Sequence, residues 1–297
     1  MTLIVAKIKD DKIKIVSDSK ITDEAAVRNN PLFGNLKTLI LNPDTCIGFA
    51  GNVYFAEIVL NEFYQGKFKN FQELFNRCGR LHHESNFETD FILATLFENK
   101  PVIYKISESK IFVDHTNLWI GHIDGFNKYQ SEFHDKKNKD RSEFQRMGIA
   151  FSEVIKDEKI SGISDFQIGI ETVYHEELKS SIFIYEFKAE FNFANQKVSV
   201  PGGKQFTPMK VGGAQIGGYG ICYLRSVNVY QPGVAIHFSQ GGFGMLFCPK
   251  LNHNKAIIIK EKDGEDFAKK VWDLHNIALE GIVLKDGFAF KYIVNKN

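Results

Sequence analysis

This chain has almost no surplus charge of either sign: 37 lysines and arginines balance 36 aspartates and glutamates, a net charge of +1. That balance leaves no broad electrostatic footprint for nucleic acid or for an anionic membrane, and it argues against a DNA- or RNA-binding role. Long apolar runs are missing too. Stretches such as 256–259 fall far short of the roughly 20 residues that cross a bilayer. Near the start, Lys7, Lys9, Asp10 and Asp11 interrupt any signal-peptide core. Cysteine is scarce and dispersed: Cys46, Cys78, Cys222 and Cys248 form no CxxC pair. A disulfide framework or zinc site therefore has no support, and a reduced, cytoplasmic setting is expected. The nine histidines, adjacent only at His82-His83, show no His-x-x-x-His spacing on a plausible helix, so no metal or other cofactor is expected. What is present, 43% hydrophobic and 25% charged residues over 297 positions, suits one large globular domain, or a domain with an extension.

Periodicity organises the chain. Residues 2–9 start as an apolar run and end in alternation; Asp10-Asp11 is a polar turn, and 12–18 alternate again. This is a β-hairpin with one face buried. After a polar loop containing Asn29-Asn30-Pro31 and Gly34, residues 36–41 and 45–50 form a second pair across Asn42-Pro43-Asp44. From Val53 the period becomes helical, with Ala56, Val59, Leu60 and Phe63 recurring up to Gly66. A second helix is predicted over 70–83, with Phe71, Leu74, Phe75 and Cys78 on one face. Strands are expected next at 90–97, 101–106, 111–113 and 117–121, then helices at about 124–134 and 142–156, the latter N-capped by Ser142. Strands at 165–174 and 180–188 close this part.

Segregated runs of strands and helices predict an α+β fold of two antiparallel sheets packed face to face, with helices on both outer surfaces. From about 190 the texture changes. Glycine is dense between Gly202 and Gly244, short strands are predicted at 220–224, 233–238, 244–247 and 256–260, and an amphipathic helix at 265–279 precedes a closing hairpin. The expected division is a core over 1–190 and a C-terminal α+β extension over 191–297, whose role the sequence does not assign. The glycine run 211–220 lacks the Gly-Lys-Ser/Thr ending of a phosphate-binding loop and reads as curved strand. Residues 240–244 read as a hairpin turn.

Chemistry enters at the second residue. A threonine hydroxyl is a poor nucleophile unless a base takes its proton, and an N-terminal residue carries such a base in its own α-amine, with a pKa of about 8. Met1 precedes Thr2, and a small residue in second place permits removal of the initiator methionine. Met-Thr alone says little, and the residues downstream of it say more. Asp18-Ser19-Lys20-Ile21-Thr22 closes the first hairpin, Gly34-Asn35-Leu36-Lys37 opens the next strand, and Cys46-Ile47-Gly48-Phe49-Ala50-Gly51 leads into a helix. Thr2 and Asp18 are sixteen residues apart, and Lys37 and Gly51 fourteen.

This series resembles the proteasome β subunits and HslV-like peptidases of the N-terminal nucleophile (Ntn) hydrolases, over about two thirds of the chain. The resemblance implies a four-layer αββα sandwich and a threonine-type peptidase acting through an acyl-enzyme. Thr2 would be the nucleophile, Lys37 the cation that lowers the cost of its alkoxide, Asp18 the partner that keeps Lys37 charged, and the Gly51 N–H the oxyanion donor. Thr22 and Ala50 would bind the substrate backbone as an added strand, while Lys20, Phe49 and Val53 would line the first specificity pocket. The family's supporting serine, in a Gly-Ser-Gly-like turn, corresponds to His122 within Gly121-His122-Ile123-Asp124-Gly125, a departure from the pattern. Ser161, Ser164 and Asp165 fall near the family's later supporting residues, and of these Ser164 and Asp165 are carried as candidates. The resemblance further implies a peptide or protein substrate, a closed homo-oligomeric ring and an ATPase unfoldase as partner. Two alternatives stay open at this level: an inactive proteasome-like assembly or binding protein, and an Ntn amidase acting on a small molecule.

Overall fold

The computed structural model describes residues 2–19, 35–114, 116–157, 159–160, 163, 166–189, 198–199, 205–206, 221–239, 241–285 and 288–293. Lys20, Thr22, Ser161, Ser164, Asp165, the Asn29-Asn30-Pro31 loop and the run 211–220 lie outside the described residues.

The first hairpin pairs β1 (Leu3–Lys9) with β2 (Lys12–Ser17). Asp10 and Asp11 join them with φ of 49° and 55°, the pair of positive angles whose twist matches a two-residue hairpin. Leu3 to Ala6 are buried in succession, so both faces of β1 are covered. Ile4 and Ala6, with Ile13 and Ile15, belong to the main apolar cluster shared with Leu39 and Phe91. Leu3, Val5 and Val16 instead join Met147, Phe151 and Val154.

The second hairpin is β3 (Thr38–Asn42) and β4 (Thr45–Gly51), followed by α1 (Val53–Tyr64) and α2 (Phe71–Glu84). Asparagines cap both helices: Tyr54 N–H donates to Asn52 Oδ1 at 3.1 Å and Glu73 N–H to Asn70 Oδ1 at 3.0 Å, each satisfying an N–H that the first turn leaves unpaired. Then come β5 (Thr89–Phe97), β6 (Lys100–Ser107), β7 (Lys110–Asp114) and β8 (Asn117–Gly121), and after them α3 (Ile123–Phe133), α4 (Glu143–Lys156), β9 (Phe166–His175) and β10 (Ser180–Ala189). Ser142 and Gln145 cap α4 reciprocally, at 3.2 and 3.1 Å.

These strands make two five-stranded antiparallel sheets, in the orders β10-β9-β2-β1-β8 and β3-β4-β5-β6-β7. Helices α1 and α2 pack on β4, β5 and β6, whereas α4 packs on β2 and β9; β1 and β8 meet β4 and β6 of the facing sheet.

The C-terminal part adds a ribbon of β11 (Val198–Ser199) and β12 (Gln205–Phe206) and a six-stranded antiparallel sheet. The sheet is built from β13 (Ile221–Ser226), β14 (Val234–Phe238), β15 (Phe243–Phe247), β16 (Ile257–Ile259), β17 (Leu279–Lys285) and β18 (Phe288–Ile293), in the order β16-β15-β14-β13-β17-β18. The short α5 (Pro249–Asn252) precedes β16, and α6 (Gly264–His275) follows it. Leu224, Ala235 and Leu246 pack under Phe267 and Val271 of α6. From the opposite face Val234, Ile236, Phe238, Phe243, Met245 and Phe247 enter the same apolar cluster as the two five-stranded sheets. The helix expected over 265–279 is shorter than that. It stops at His275 because Asn276 turns left-handed (φ 54°, ψ 38°), its N–H returning to the Trp272 carbonyl at 2.7 Å, and Leu279 already opens β17. No helix among the described residues is long and apolar enough to cross a membrane.

Candidate active site

Two corners of the fold are built alike. β4 ends at Gly51 and passes through Asn52 into α1, while β8 ends at Gly121 and passes through His122 into α3. The glycines have φ of +103° and +104°, and the caps have φ/ψ of −73°/112° and −76°/114°. Glycine is required at both for two reasons: L side chains avoid this backbone region, and there is no space. A Cβ on Gly121 would lie 1.8 Å from the Thr2 carbonyl oxygen, and one on Gly51 would lie 1.8 Å from that of Glu88.

The second corner holds the start of the chain. His122 N–H donates to the Thr2 carbonyl at 2.7 Å, next to the Leu3–Gly121 pair of the sheet. The imidazole does something else: its Nδ1 accepts from Gly125 N–H at 3.1 Å and caps α3. Nothing in the sequence pattern exposed Gly121 as a contact of Thr2, because only its positive φ and the close approach reveal it.

Thr2, Asp18 and Lys37 are all buried, at 4%, 0% and 4% exposure. Asp18 Oδ1 accepts from Leu3 N–H at 3.1 Å and so fixes the Thr2–Leu3 peptide. Burial pushes the Lys37 ammonium below the ordinary lysine pKa, and the charge of Asp18 opposes that shift. The same ammonium sits 5.7 Å from the centre of the Phe49 ring, at cation–π range. Next to this pair, Ser17 Oγ and Thr38 Oγ1 lie 2.8 Å apart and tie the two facing sheets together. Ser17 and Thr38 were not legible as partners, since a hydroxyl pair between sheets has no spacing signature.

Phe49 N–H donates to the Lys37 carbonyl at 3.0 Å. N–H groups two residues apart in a strand share an edge, so the Gly51 N–H is directed toward the edge on which Lys37 lies. Ala50 is buried, and Val53, half-buried, opens α1 against the main cluster. His122 and Asp18 thus bond directly to the Thr2–Leu3 backbone, and the Lys37 ammonium, whose pKa the Asp18 charge raises, sits over the Phe49 ring, with Ala50 and Gly51 continuing the Phe49 strand.

The C-terminal part reaches this neighbourhood. Leu36 N–H donates to the Asn254 carbonyl at 2.8 Å, Asn35 pairs with Lys255, and Lys255 Nζ meets Glu57 Oε1 at 2.8 Å. Two grooves of about 880 and 740 Å³ run along α2 and do not include Thr2, Lys37 or Gly51. Among the described residues no group of three or more His, Cys, Asp or Glu is arranged to hold a metal ion.

No family model and no curated protein sequence matches the chain. Among solved structures it is similar to eukaryotic HslV from Trypanosoma brucei. The identity is 16% and the TM-score 0.39, over 57% of this chain and 98% of that one.

Proposed function

We propose that this protein is a threonine-type Ntn amide hydrolase of the four-layer αββα class, cytoplasmic, with its catalytic core in residues 1–190 and an accessory extension in 191–297. The observation that carries the reading is a buried lysine and aspartate: Asp18, bonded to the Leu3 N–H, and Lys37, whose pKa the Asp18 charge raises against burial. Taking both charges out of water is costly, and groups with perturbed pKa values gather at sites of chemistry. The sandwich is supported by the main apolar cluster between the facing sheets and by the packing of α1 and α2 on one outer side and α4 on the other.

In this reading Met1 is removed and Thr2 becomes the first residue. The α-amine takes the proton of the Thr2 hydroxyl as Oγ attacks the substrate carbonyl carbon. Lys37 lowers the energy of the developing alkoxide, and the Gly51 N–H receives the oxyanion, an interaction worth about 3 kcal/mol in comparable sites. When the tetrahedral intermediate collapses, the C–N bond breaks, the α-ammonium returns its proton to the leaving amine, and an ester remains on Thr2. Water, deprotonated by the same amine, then adds to the ester carbonyl; the C–Oγ bond breaks, the ammonium returns the proton to Oγ, and the carboxylic acid product leaves. Ala50 and Thr22 flank a substrate strand, and Lys20, Phe49 and Val53 bound its first side-chain pocket. His122 holds Thr2 through its backbone N–H; Ser164 and Asp165 complete the support of the amine. The proposed substrate is a peptide or protein, handled by a ring-shaped homo-oligomer with an ATPase unfoldase.

Covalent labelling tests this. A peptide β-lactone should modify the native protein once, at Thr2, and Thr2→Ala should abolish the adduct without loss of fold by circular dichroism. Undiminished labelling of Thr2→Ala would place the nucleophile elsewhere.

A further inference from the structure

The Gly51 corner is buttressed from behind by a compact set of bonds centred on a buried histidine. Thr89 lies opposite Gly51 in the β4–β5 ladder. Its carbonyl accepts from His82 Nδ1 at 2.7 Å, its N–H donates to Ser85 Oγ at 3.0 Å, and its hydroxyl donates to the Asn52 carbonyl at 3.2 Å. Ser85 is aimed by His82 as well, its hydroxyl donating to the His82 carbonyl at 2.7 Å. Thr89, Ser85 and His82 are each 3% exposed or less, so none of these bonds is exchanged readily with water.

The ring is held at both nitrogens. Ser109 N–H points to Nε2 at 3.3 Å, which makes Nε2 the acceptor and leaves the proton on Nδ1, where the Thr89 carbonyl receives it. Asp90 Oδ1 lies 3.7 Å from the same Nδ1. The Glu88 carbonyl, which a Cβ on Gly51 would strike, belongs to the segment these bonds fix. A shift of Thr89 therefore moves Glu88 and, through the ladder, the Gly51 peptide.

We propose that His82 is a positioning residue: by donating from Nδ1 to the Thr89 carbonyl it sets the orientation of the Gly51 N–H, and with it the oxyanion site. The inference rests on the Thr2 nucleophile reading above. It is distinct from a general stabilising role because it concerns one half of the chemistry. An attack that places negative charge on a carbonyl oxygen needs the Gly51 donor, whereas an attack that does not is indifferent to it.

Two probes separate these cases. With a peptide β-lactone, Thr2 Oγ attacks the ring carbonyl, the C–O bond opens, and the transition state carries an oxyanion. With a peptide vinyl sulfone, Thr2 Oγ adds to the alkene carbon β to sulfur, on the peptide side, and the proton ends on the carbon beside sulfur, so no carbonyl oxyanion forms. In His82→Ala the lactone should react slower by on the order of ten- to a hundredfold, as expected for a donor displaced by a fraction of an ångström to an ångström, while vinyl sulfone labelling keeps its wild-type rate. His82→Asn, whose side-chain N–H falls where Nδ1–H was, should restore most of the lactone rate. Ser85→Ala, which removes the acceptor of Thr89 N–H, should reproduce the selective loss and carries the test if His82→Ala does not fold. Equal losses with both probes, or an unchanged lactone rate, would overturn the positioning role, as would failure of the asparagine to rescue. A wild-type protein that reacts with neither probe overturns the nucleophile reading, and this inference with it. Vinyl sulfone labelling of Thr2 with an unaffected lactone rate in both variants removes the inference alone.

Discussion

Placing a methyl group on Gly51 should damage the fold by an amount set by its surroundings. The new Cβ would stand 1.8 Å from the Glu88 carbonyl oxygen and 2.9 Å from its carbon, where ordinary contact begins at 3.4 Å. The two backbones would have to separate by roughly 1.6 Å at a paired position of the β4–β5 ladder. Overpacking of this kind costs about 1–3 kcal/mol. The φ of +103° adds about 1–3 kcal/mol for a residue with a side chain, so Gly51→Ala should lose about 2–6 kcal/mol in all. Urea unfolding followed through Trp119 and Trp272 reads the loss. At a slope of about 3 kcal/mol per molar urea, the midpoint should fall by roughly 0.7–2 M. Gly79 is the internal control: it lies within α2 and a Cβ there would meet nothing within 4 Å. Gly79→Ala should gain up to about 1 kcal/mol from helix propensity alone. An unchanged midpoint for Gly51→Ala, or equal effects of the two substitutions, would refute the reasoning.

Three further outcomes are expected. Asp18→Asn removes the charge that opposes the depressing effect of burial on Lys37, so Lys37 should lose its proton at lower pH and the alkaline limb of the labelling-rate profile should move down; a limb that stays or moves up contradicts the pairing. Thr38→Val leaves the Ser17 hydroxyl buried without its 2.8 Å partner and should cost about 1–3 kcal/mol, part of which Ser17→Ala/Thr38→Val recovers; a double variant weaker than the single would count against that bond. His237 donates from Nε2 to the Glu261 carbonyl at 2.8 Å and buries Nδ1 without a partner among the described residues, and burial holds its pKa below 6.5. The unfolded chain therefore binds this proton at a higher pH than the fold does, so stability falls as pH drops below about 6.5, by at most about 1.4 kcal/mol per unit. His237→Gln keeps the donor and cannot titrate, so its melting temperature should gain on that of the wild type only on the acid side; an advantage independent of pH would contradict this account.

Much of the fold was legible because periodicity and turn chemistry act locally. The Asp10-Asp11 turn, the switch to helical spacing at Val53 and the Ser142 cap are written in neighbouring residues. The end of α6 was not, since the amphipathic pattern runs on past Asn276 and only the left-handed cap stops it. For the candidate site, the resemblance to the Ntn hydrolases singled out Asp18 and Lys37, although composition alone makes both surface residues; their joint burial is a tertiary fact. Gly121 is needed because the Thr2 carbonyl comes within 1.8 Å of where its Cβ would be, and His82 gains a role only through Thr89. Likewise, no motif announced that Asn254 and Lys255 would bond to Leu36 and Asn35 beside the strand of Lys37. Such relations join residues far apart in sequence and leave no period to read.

The central claim is that Thr2, with its own amine free, is the nucleophile. Intact mass and peptide mapping of protein from its native host, before and after treatment with a peptide β-lactone, tests it most directly. The account predicts a chain that begins at Thr2 and carries one adduct on that residue. A retained Met1 with no adduct, or an adduct on any other side chain, would contradict it.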